Sequence, residues 1–301
     1  MTRPLPQTHK NQNETENHMT LTSPDFTRAA AIPATPDPAA LTAREVFLAD
    51  LIREAGALAR HAFAEASAPQ VGMKGPQDFL TETDAAVEHL VRSRIQASFP
   101  DDSFLGEETG GSVADPCWVV DPIDGTANFA RRIPHYCISI AYVAGGEIRL
   151  GAIYDPSHDE LYAARQGRGA TRNGAPIRVA QTARADAACL ELGWSNRLPN
   201  ATYLDALTAM LDAGANVRRA ATGALGLAYV ADGRSDGYAE LHMHPWDCLA
   251  GLLLVEEAGG RVCGFLEADG LNKGGAVLAT APGLAELMSR ATKVPLRAAR
   301  A

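Results

Sequence analysis

One segment of the chain is an apolar run that leads into two aspartates, Cys117-Trp118-Val119-Val120-Asp121-Pro122-Ile123-Asp124-Gly125-Thr126. The apolar run predicts a buried strand. Pro122 disfavours helix at the residue before it, so we expect the strand to end at Asp121. Gly125 permits a backbone conformation that is closed to other residues, and Thr126 is expected to begin a short helix through Phe129. The stretch therefore predicts a strand, a turn with two acids and a helix.

The two aspartates are three positions apart, with the Ile123 carbonyl between them, and they can point into one volume. Carboxylates that lie close together repel, and each needs a compensating charge. The chain has no lysine or arginine here until Arg131 and Arg132. Oxygen ligands of this kind suit Mg²⁺, which is often shared with a substrate phosphate. Taken alone, the pattern fits equally well a surface turn whose aspartates cap a helix.

Three other acids occupy similar positions. Glu107 follows Gly106 at the end of a predicted strand, Asp84 lies at a predicted helix start, and Asp247 precedes an apolar helix. Each of these alone is more typical of helix capping or of a solvated end. Together, acids at four element ends form the arrangement that a multi-metal phosphate site requires.

Composition excludes several other classes of protein. The chain has 301 residues, is 46% apolar and carries a formal charge of −9, so it has no basic nucleic-acid footprint. No run approaches the length of a membrane span, and the N-terminus lacks a basic-then-apolar start. Five scattered cysteines without CxxC spacing fit reduced thiols. We therefore expect a cytoplasmic protein that contacts neither membrane nor nucleic acid directly.

Pattern divides the chain into three parts. Residues 1–40, rich in proline and polar residues, predict a disordered extension. Residues 41–185 predict an α+β half with helices from Thr42 and over 84–98, and with hairpin turns at Gly145-Gly146 and Asn173-Gly174. Residues 186–295 predict an α/β half with helices over 203–211, 225–231 and 248–258.

Three motifs resemble the inositol monophosphatase family, in the superfamily that includes fructose-1,6-bisphosphatase and the bisphosphate nucleotidases. They are Gly106-Glu107-Glu108, Trp118 through Phe129, and Trp246-Asp247-Cys248-Leu249-Ala250-Gly251, supported upstream by Asp78-Phe79-Leu80-Thr81-Glu82-Thr83-Asp84. The resemblance covers residues 45 to 290. It implies a mixed α+β and α/β fold, a five-layer αβαβα sandwich, in one compact catalytic unit. The first half would bind metal and the second would set substrate specificity.

The resemblance also implies a metal-binding role for each acid. Glu107, Asp121 and the Ile123 carbonyl would hold one Mg²⁺, and Asp121, Asp124 and Asp247 would hold a second. Glu107 would contribute to a weaker third ion, which gives two to three ions per site, with Mn²⁺ able to substitute.

The implied reaction is direct hydrolysis without a phosphoenzyme. Asp84 and Thr126 would hold and polarise the attacking water, with Glu107 as the third catalytic residue. The Gly125 and Thr126 amides would cradle the phosphate. Lithium sensitivity and a homodimer are further implied traits.

Substrate choice would depend on Glu240, which matches a carboxylate that hydrogen-bonds inositol hydroxyls and would repel a second phosphate. Asp124 and the amide near Gly223 would also meet the polyol, although Ala221 stands where the family usually has glycine. We therefore predict myo-inositol 1-phosphate as substrate. On spacing alone Glu240 fits a solvated strand residue equally well.

Two alternatives stay open. One is a histidinol-phosphate or 3′(2′),5′-bisphosphate nucleotide phosphatase on the same fold. The other is a bacterial relative with an additional scaffold role in transcription or RNA processing, which the negative charge permits through a protein partner.

Overall fold

The computed structural model describes residues 37–65, 72–75 and 78–298. The predicted N-terminal extension, residues 1–40, therefore lies outside the described residues except for its last four. The first helix begins at Pro38, four residues before the predicted start at Thr42. Proline suits the first turn of a helix because its missing N–H has no partner there. The Thr42 hydroxyl donates to the Pro38 carbonyl (2.9 Å) inside the helix instead of capping it.

The described residues form eight α-helices. Their bounds are α1 (Pro38–Glu65), α2 (Glu82–Ser98), α3 (Thr126–Ala130), α4 (Asn200–Asp212), α5 (Gly223–Ala231), α6 (Pro245–Glu257), α7 (Gly270–Lys273) and α8 (Ala285–Thr292). The helices predicted in the second half are present, each beginning two or three residues earlier than predicted. Asp247 consequently lies inside the first turn of α6.

The strands of the described residues fall into a two-stranded ribbon and two larger sheets. The ribbon pairs β1 (Gly72–Gly75) with β2 (Asp78–Leu80). The first large sheet contains β3 (Ser103–Gly106), β4 (Gly110–Gly111), β5 (Cys117–Asp124), β6 (Cys137–Ala144), β7 (Glu147–Asp155), β8 (Glu160–Arg165), β9 (Ala170–Arg172) and β10 (Ala175–Pro176). The second contains β11 (Cys189–Leu192), β12 (Asn216–Arg218), β13 (Gly237–Met243), β14 (Arg261–Val262) and β15 (Gly275–Thr280).

The first sheet has the order β10-β9-β8-β7-β6-β5-β3-β4. Its strands pair antiparallel except β3 and β5, which are parallel. Both predicted hairpin turns are confirmed, at Gly145-Gly146 between β6 and β7 and at Asn173-Gly174 between β9 and β10.

The second sheet has the order β12-β11-β13-β15-β14 and mixes parallel with antiparallel pairs. Helices α5 and α6 lie between the two sheets, since α6 contacts β6, β7 and β15 while α5 contacts β13. Helices α1 and α2 cover the other face of the first sheet, and α8 covers the second. The predicted five-layer αβαβα architecture is therefore confirmed. In these described residues, no helix has the length and apolarity needed to cross a lipid bilayer.

Strand β5 corrects one prediction, because it continues past Asp121 to Asp124. Asp124 still pairs with Cys137 of β6, and the register shifts between Asp121 and Asp124. This irregularity accommodates Pro122, which has no N–H to give to a ladder. Both aspartates therefore lie on the strand itself.

A close backbone contact holds α6 against the first sheet. A Cβ built on Gly151 of β7 would lie 2.9 Å from Ala250 Cα in α6, closer than side chains allow. Glycine at this position lets α6 approach the sheet, and the start of α6 carries Asp247 to the end of β5.

Candidate active site

Asp121 is the centre of a group of acids. Its side chain is 1% exposed, and Oδ1 accepts a hydrogen bond from the Ile123 amide (3.0 Å). Burial, followed by the negative charges of Glu107, Asp124 and Asp247, raises the pKa of Asp121 well above its ordinary value. Mutual repulsion of this kind requires that the four carboxylates lie close to one another. The structure thus brings together acids from β5, from α6 and from the end of β3.

Asp124 is held by the start of α5. The Ala224 amide donates to Oδ2 (2.7 Å), the Gly223 amide donates to Oδ1 (3.2 Å), and the Thr222 hydroxyl also donates to Oδ2. Burial raises the pKa of Asp124, and these three hydrogen bonds oppose the rise. The Gly223 amide, for which we predicted a substrate contact, is therefore bonded to Asp124.

Asp84 and Thr126 lie next to each other in the site. The Thr81 amide donates to Asp84 Oδ2 (2.9 Å), which also accepts from the Thr81 hydroxyl. Thr126 Oγ1 lies 3.2 Å from Asp84 Oδ1 and 2.9 Å from the Ile123 carbonyl, and its one proton can serve either acceptor. Burial raises the pKa of Asp84.

Asp247 and Glu107 complete the acidic group. Asp247 Oδ2 accepts from the His244 amide (2.9 Å), which is a capping contact at the start of α6. Burial and the neighbouring charge of Asp124 raise the pKa of Asp247 to about 8. The Glu107 amide donates to the Val120 carbonyl (3.1 Å), which fixes Glu107 beside β5.

The donor set of this group fits a hard divalent cation. Within residues 81–298, no lysine or arginine forms an ion pair with Asp121, Asp124 or Asp247. Carboxylate and carbonyl oxygens without nitrogen or sulfur are the ligands that Mg²⁺ prefers. The described residues contain no three acidic, histidine or cysteine side chains already closed around an ion position. Asp124 and Asp247 instead accept hydrogen bonds from backbone amides, those of Ala224 and His244.

A cavity of about 460 Å³ extends from the acids to the second sheet. Its acidic end is lined by Glu107, Asp124, Thr126 and Asp247. This volume lies in the range of small-molecule sites. Gly125, with φ +95°, adopts the left-handed conformation predicted for it and places the start of α3 at this end.

Glu240 also lines the cavity. The Tyr238 hydroxyl donates to Glu240 Oε2 (2.7 Å) on the same face of β13. Burial raises the pKa of Glu240 to about 7. A Cβ built on Gly193 would lie 2.0 Å from Glu240 Oε2, so the chain after β11 passes directly beside this carboxylate.

Several residues of the site had no predicted role. Thr222 is the N-cap of α5, and its hydroxyl accepts from the Leu225 amide (3.3 Å) while it donates to Asp124. A threonine three residues before the first helical leucine was the available signal. Trp194, Arg197 and Arg219 also line the cavity, and no motif pointed to them.

Comparison with known proteins assigns a family. The model of the inositol monophosphatase family matches residues 41–294. The chain is 38% identical over 218 residues to Nus factor SuhB of Escherichia coli, covering 71% of this chain and 82% of that relative.

Solved structures agree with this assignment. Extragenic suppressor protein suhB from Bartonella henselae superposes with a TM-score of 0.77 at 32% identity, covering 83% of this chain and 98% of that one. Inositol monophosphatase from Anabaena superposes with a TM-score of 0.74 at 33% identity, covering 85% and 98%.

Proposed function

This chain belongs to the inositol monophosphatase family, and we propose that it is a Mg²⁺-dependent phosphomonoesterase that hydrolyses myo-inositol 1-phosphate to inositol and phosphate. The proposal rests on the grouping of four carboxylates around Asp121 beside a cavity that Glu240 also lines. Such a group needs cations to bind an anionic ester.

The acids divide into two ligand sets. Glu107, Asp121 and the Ile123 carbonyl would hold one Mg²⁺, and Asp121, Asp124 and Asp247 a second. A weaker third ion beside Glu107, and substitution by Mn²⁺, are part of the same proposal. When bound, Mg²⁺ lowers the pKa of a coordinated water and stabilises negative charge on phosphate and leaving oxygens.

The chain itself positions the water and the ester. Thr126 Oγ1 donates its proton to Asp84 Oδ1 and thereby leaves its lone pairs free to accept a hydrogen bond from the attacking water. Asp84, whose pKa is raised by burial, is then the acceptor for the proton that the water loses. The first amides of α3, at Gly125 and Thr126, donate to phosphate oxygens because they have no partner within the helix.

Recognition of the alcohol falls to the second half of the chain. In its ionised form Glu240 accepts hydrogen bonds from neighbouring ring hydroxyls, and Tyr238 orients it. Asp124 and the Gly223 amide, which are bonded to each other, form the wall beside the ring. A carboxylate at this position favours a polyol and disfavours an adjacent second phosphate.

Phosphate release from a small panel tests the proposal. The panel contains myo-inositol 1-phosphate, histidinol phosphate and 3′-phosphoadenosine 5′-phosphate, each with Mg²⁺, with Asp121→Asn as the inactive control. We expect the inositol ester to be hydrolysed with the highest kcat/KM. An equal or higher value for the nucleotide would contradict the proposed substrate.

A second candidate is a scaffold role in transcription or RNA-processing complexes through a protein partner. The name Nus factor, carried by relatives that resemble this chain at 35–41% identity, supports it. Asp121→Asn separates the two candidates, because hydrolysis would be lost while association with a protein partner would persist.

Three further traits belong to the same proposal: a cytoplasmic location, a homodimer and inhibition by Li⁺. The five free cysteines support the reducing location. Size-exclusion chromatography with light scattering tests the dimer, and LiCl titration of phosphate release tests the inhibition.

A further inference from the structure

Two arginines that line the cavity are not used by the proposed reaction. Arg197 follows β11 and Arg219 follows β12, and both line the cavity together with Trp194. Both side chains are exposed, and within residues 81–298 neither forms an ion pair. The neighbouring Arg218, in contrast, is paired with Glu191 (3.5 Å). Arg197 and Arg219 are therefore available cations in an otherwise acidic cavity.

Trp194 lies beside one of these arginines. The Arg219 guanidinium carbon lies 5.9 Å from the Trp194 ring centroid, and the indole N–H donates to Asn200 Oδ1 (2.9 Å). The second contact orients the indole, and the Arg219 guanidinium lies at the outer limit of a cation–π contact with its ring.

Glu240 does not neutralise this pair. Both guanidiniums are near enough to oppose the rise in the pKa of Glu240, yet neither lies within ion-pair distance of its carboxylate among the described residues. A ligand in the cavity therefore meets two positive charges near Glu240. Arginine presents a planar fork that matches carboxylate and phosphate oxygens in pairs.

We propose that Trp194, Arg197 and Arg219 form an outer subsite of the cavity, which binds a second anionic group, a carboxylate or a phosphate, on the alcohol portion of the substrate. This proposal rests on the proposed function and deepens it. Hydroxylated phosphomonoesters that carry a second anion on the alcohol portion are then expected to bind more tightly than esters of an uncharged polyol such as inositol. Glu240 recognises the hydroxyls, and a cationic alcohol such as histidinol is disfavoured.

Three analogues of one hexitol test the subsite by binding alone. In each, a methylene group replaces the ester oxygen so that no hydrolysis occurs, and a phosphonate occupies position 6. Position 1 carries a hydroxyl, a carboxylate or a second phosphonate. Calorimetric titration in the presence of Mg²⁺ gives Kd for each analogue. We expect the analogue with a carboxylate at position 1, the analogue with a phosphonate there, or both to bind at least tenfold more tightly than the analogue with a hydroxyl. The comparison of carboxylate with phosphonate shows which anion is preferred.

The double variant Arg197→Gln/Arg219→Gln is expected to abolish this advantage, so that it binds the three analogues with similar Kd values. Arg290→Gln, an exposed arginine on α8, is the matched control and should keep the advantage. Equal Kd values for all analogues in the wild type, or an advantage that survives the double variant, would overturn the subsite. Hydrolysis of the corresponding 6-phosphates is measured separately. Absence of hydrolysis would contradict the proposed function, whereas the ratio of the Kd values of the analogues tests the subsite.

Discussion

The Thr222 hydroxyl donates to Asp124 Oδ2 across 98 positions of sequence. The hydrogen bond joins the start of α5 in the second half to the end of β5 in the first. Asp124 is thereby oriented by the half of the chain that carries Glu240. In the proposed reaction, metal binding and alcohol recognition would consequently be linked through this one carboxylate.

Thr222→Val removes this hydrogen bond and the N-cap of α5 at the same time. We expect the free energy of unfolding to fall by about 1–2 kcal/mol. We also expect a lower kcat/KM for inositol 1-phosphate, because Asp124 loses one of its three donors. Urea unfolding and phosphate release measure the two effects. Thr171→Val is the control, because the Thr171 hydroxyl donates to the Ala163 carbonyl at 3.4 Å, far from Asp124 in the chain, and its loss should change both values little. Equal losses of stability and of kcat/KM in the two variants would refute the role of Thr222 in orienting Asp124.

Asp84→Asn tests the proton acceptor. Asparagine retains the size of the side chain but cannot take a proton from water, so kcat should fall by about 10²–10⁴-fold. The unfolding midpoint should change little, because the amide oxygen still accepts from Thr81. Asp186→Asn, on an exposed turn, controls for the substitution itself. A kcat within threefold of the wild type would exclude Asp84 from the proton transfer.

The metal-free protein should become less stable as pH rises from about 4 to about 9. The raised pKa values of Asp121, Asp124 and Asp247 mean that the folded protein keeps protons that the unfolded chain releases near its ordinary pKa of about 4. Unfolding then releases protons, and the free energy of unfolding falls with pH until the folded groups also ionise, which for Asp247 occurs near pH 8.

Thermal unfolding in chelator across this pH range measures the effect. Asp247→Asn should flatten the upper part of the profile, and Mg²⁺ should raise the midpoint most at high pH because it binds ionised ligands. A metal-free midpoint that rises steadily between pH 6 and 9 would be inconsistent with the acidic group.

Glu240→Gln tests alcohol recognition. The amide has one acceptor oxygen and no charge, so KM for inositol 1-phosphate should rise about tenfold while kcat changes less. The pKa of about 7 adds a pH signature: in the wild type KM should rise below pH 7, as Glu240 becomes protonated, and this rise should be absent from the variant. Glu286→Gln on α8 is the control. If p-nitrophenyl phosphate lost as much kcat/KM as the inositol ester, Glu240 would not contribute to specificity.

Local sequence was sufficient for the parts of the site that lie on one element. The αL conformation of Gly125 and the short helix after it follow from the turn residues themselves. The predicted end of β5 at Asp121 was wrong because an irregular register with β6 accommodates Pro122. The sequence of one strand contains no information about how its partner pairs with it. Arg197 and Arg219 could not be predicted, since they become neighbours of Glu240 only when β11, β12 and β13 pair.

Calorimetric titration of Mg²⁺ into chelator-treated protein measures whether the acids around Asp121 bind divalent cations. Two to three ions should bind per chain of the wild type, and Asp121→Asn, which removes the shared ligand, should lose at least two while remaining folded by circular dichroism. Absence of any heat of Mg²⁺ or Mn²⁺ binding to folded wild-type protein would contradict a metal site at these acids.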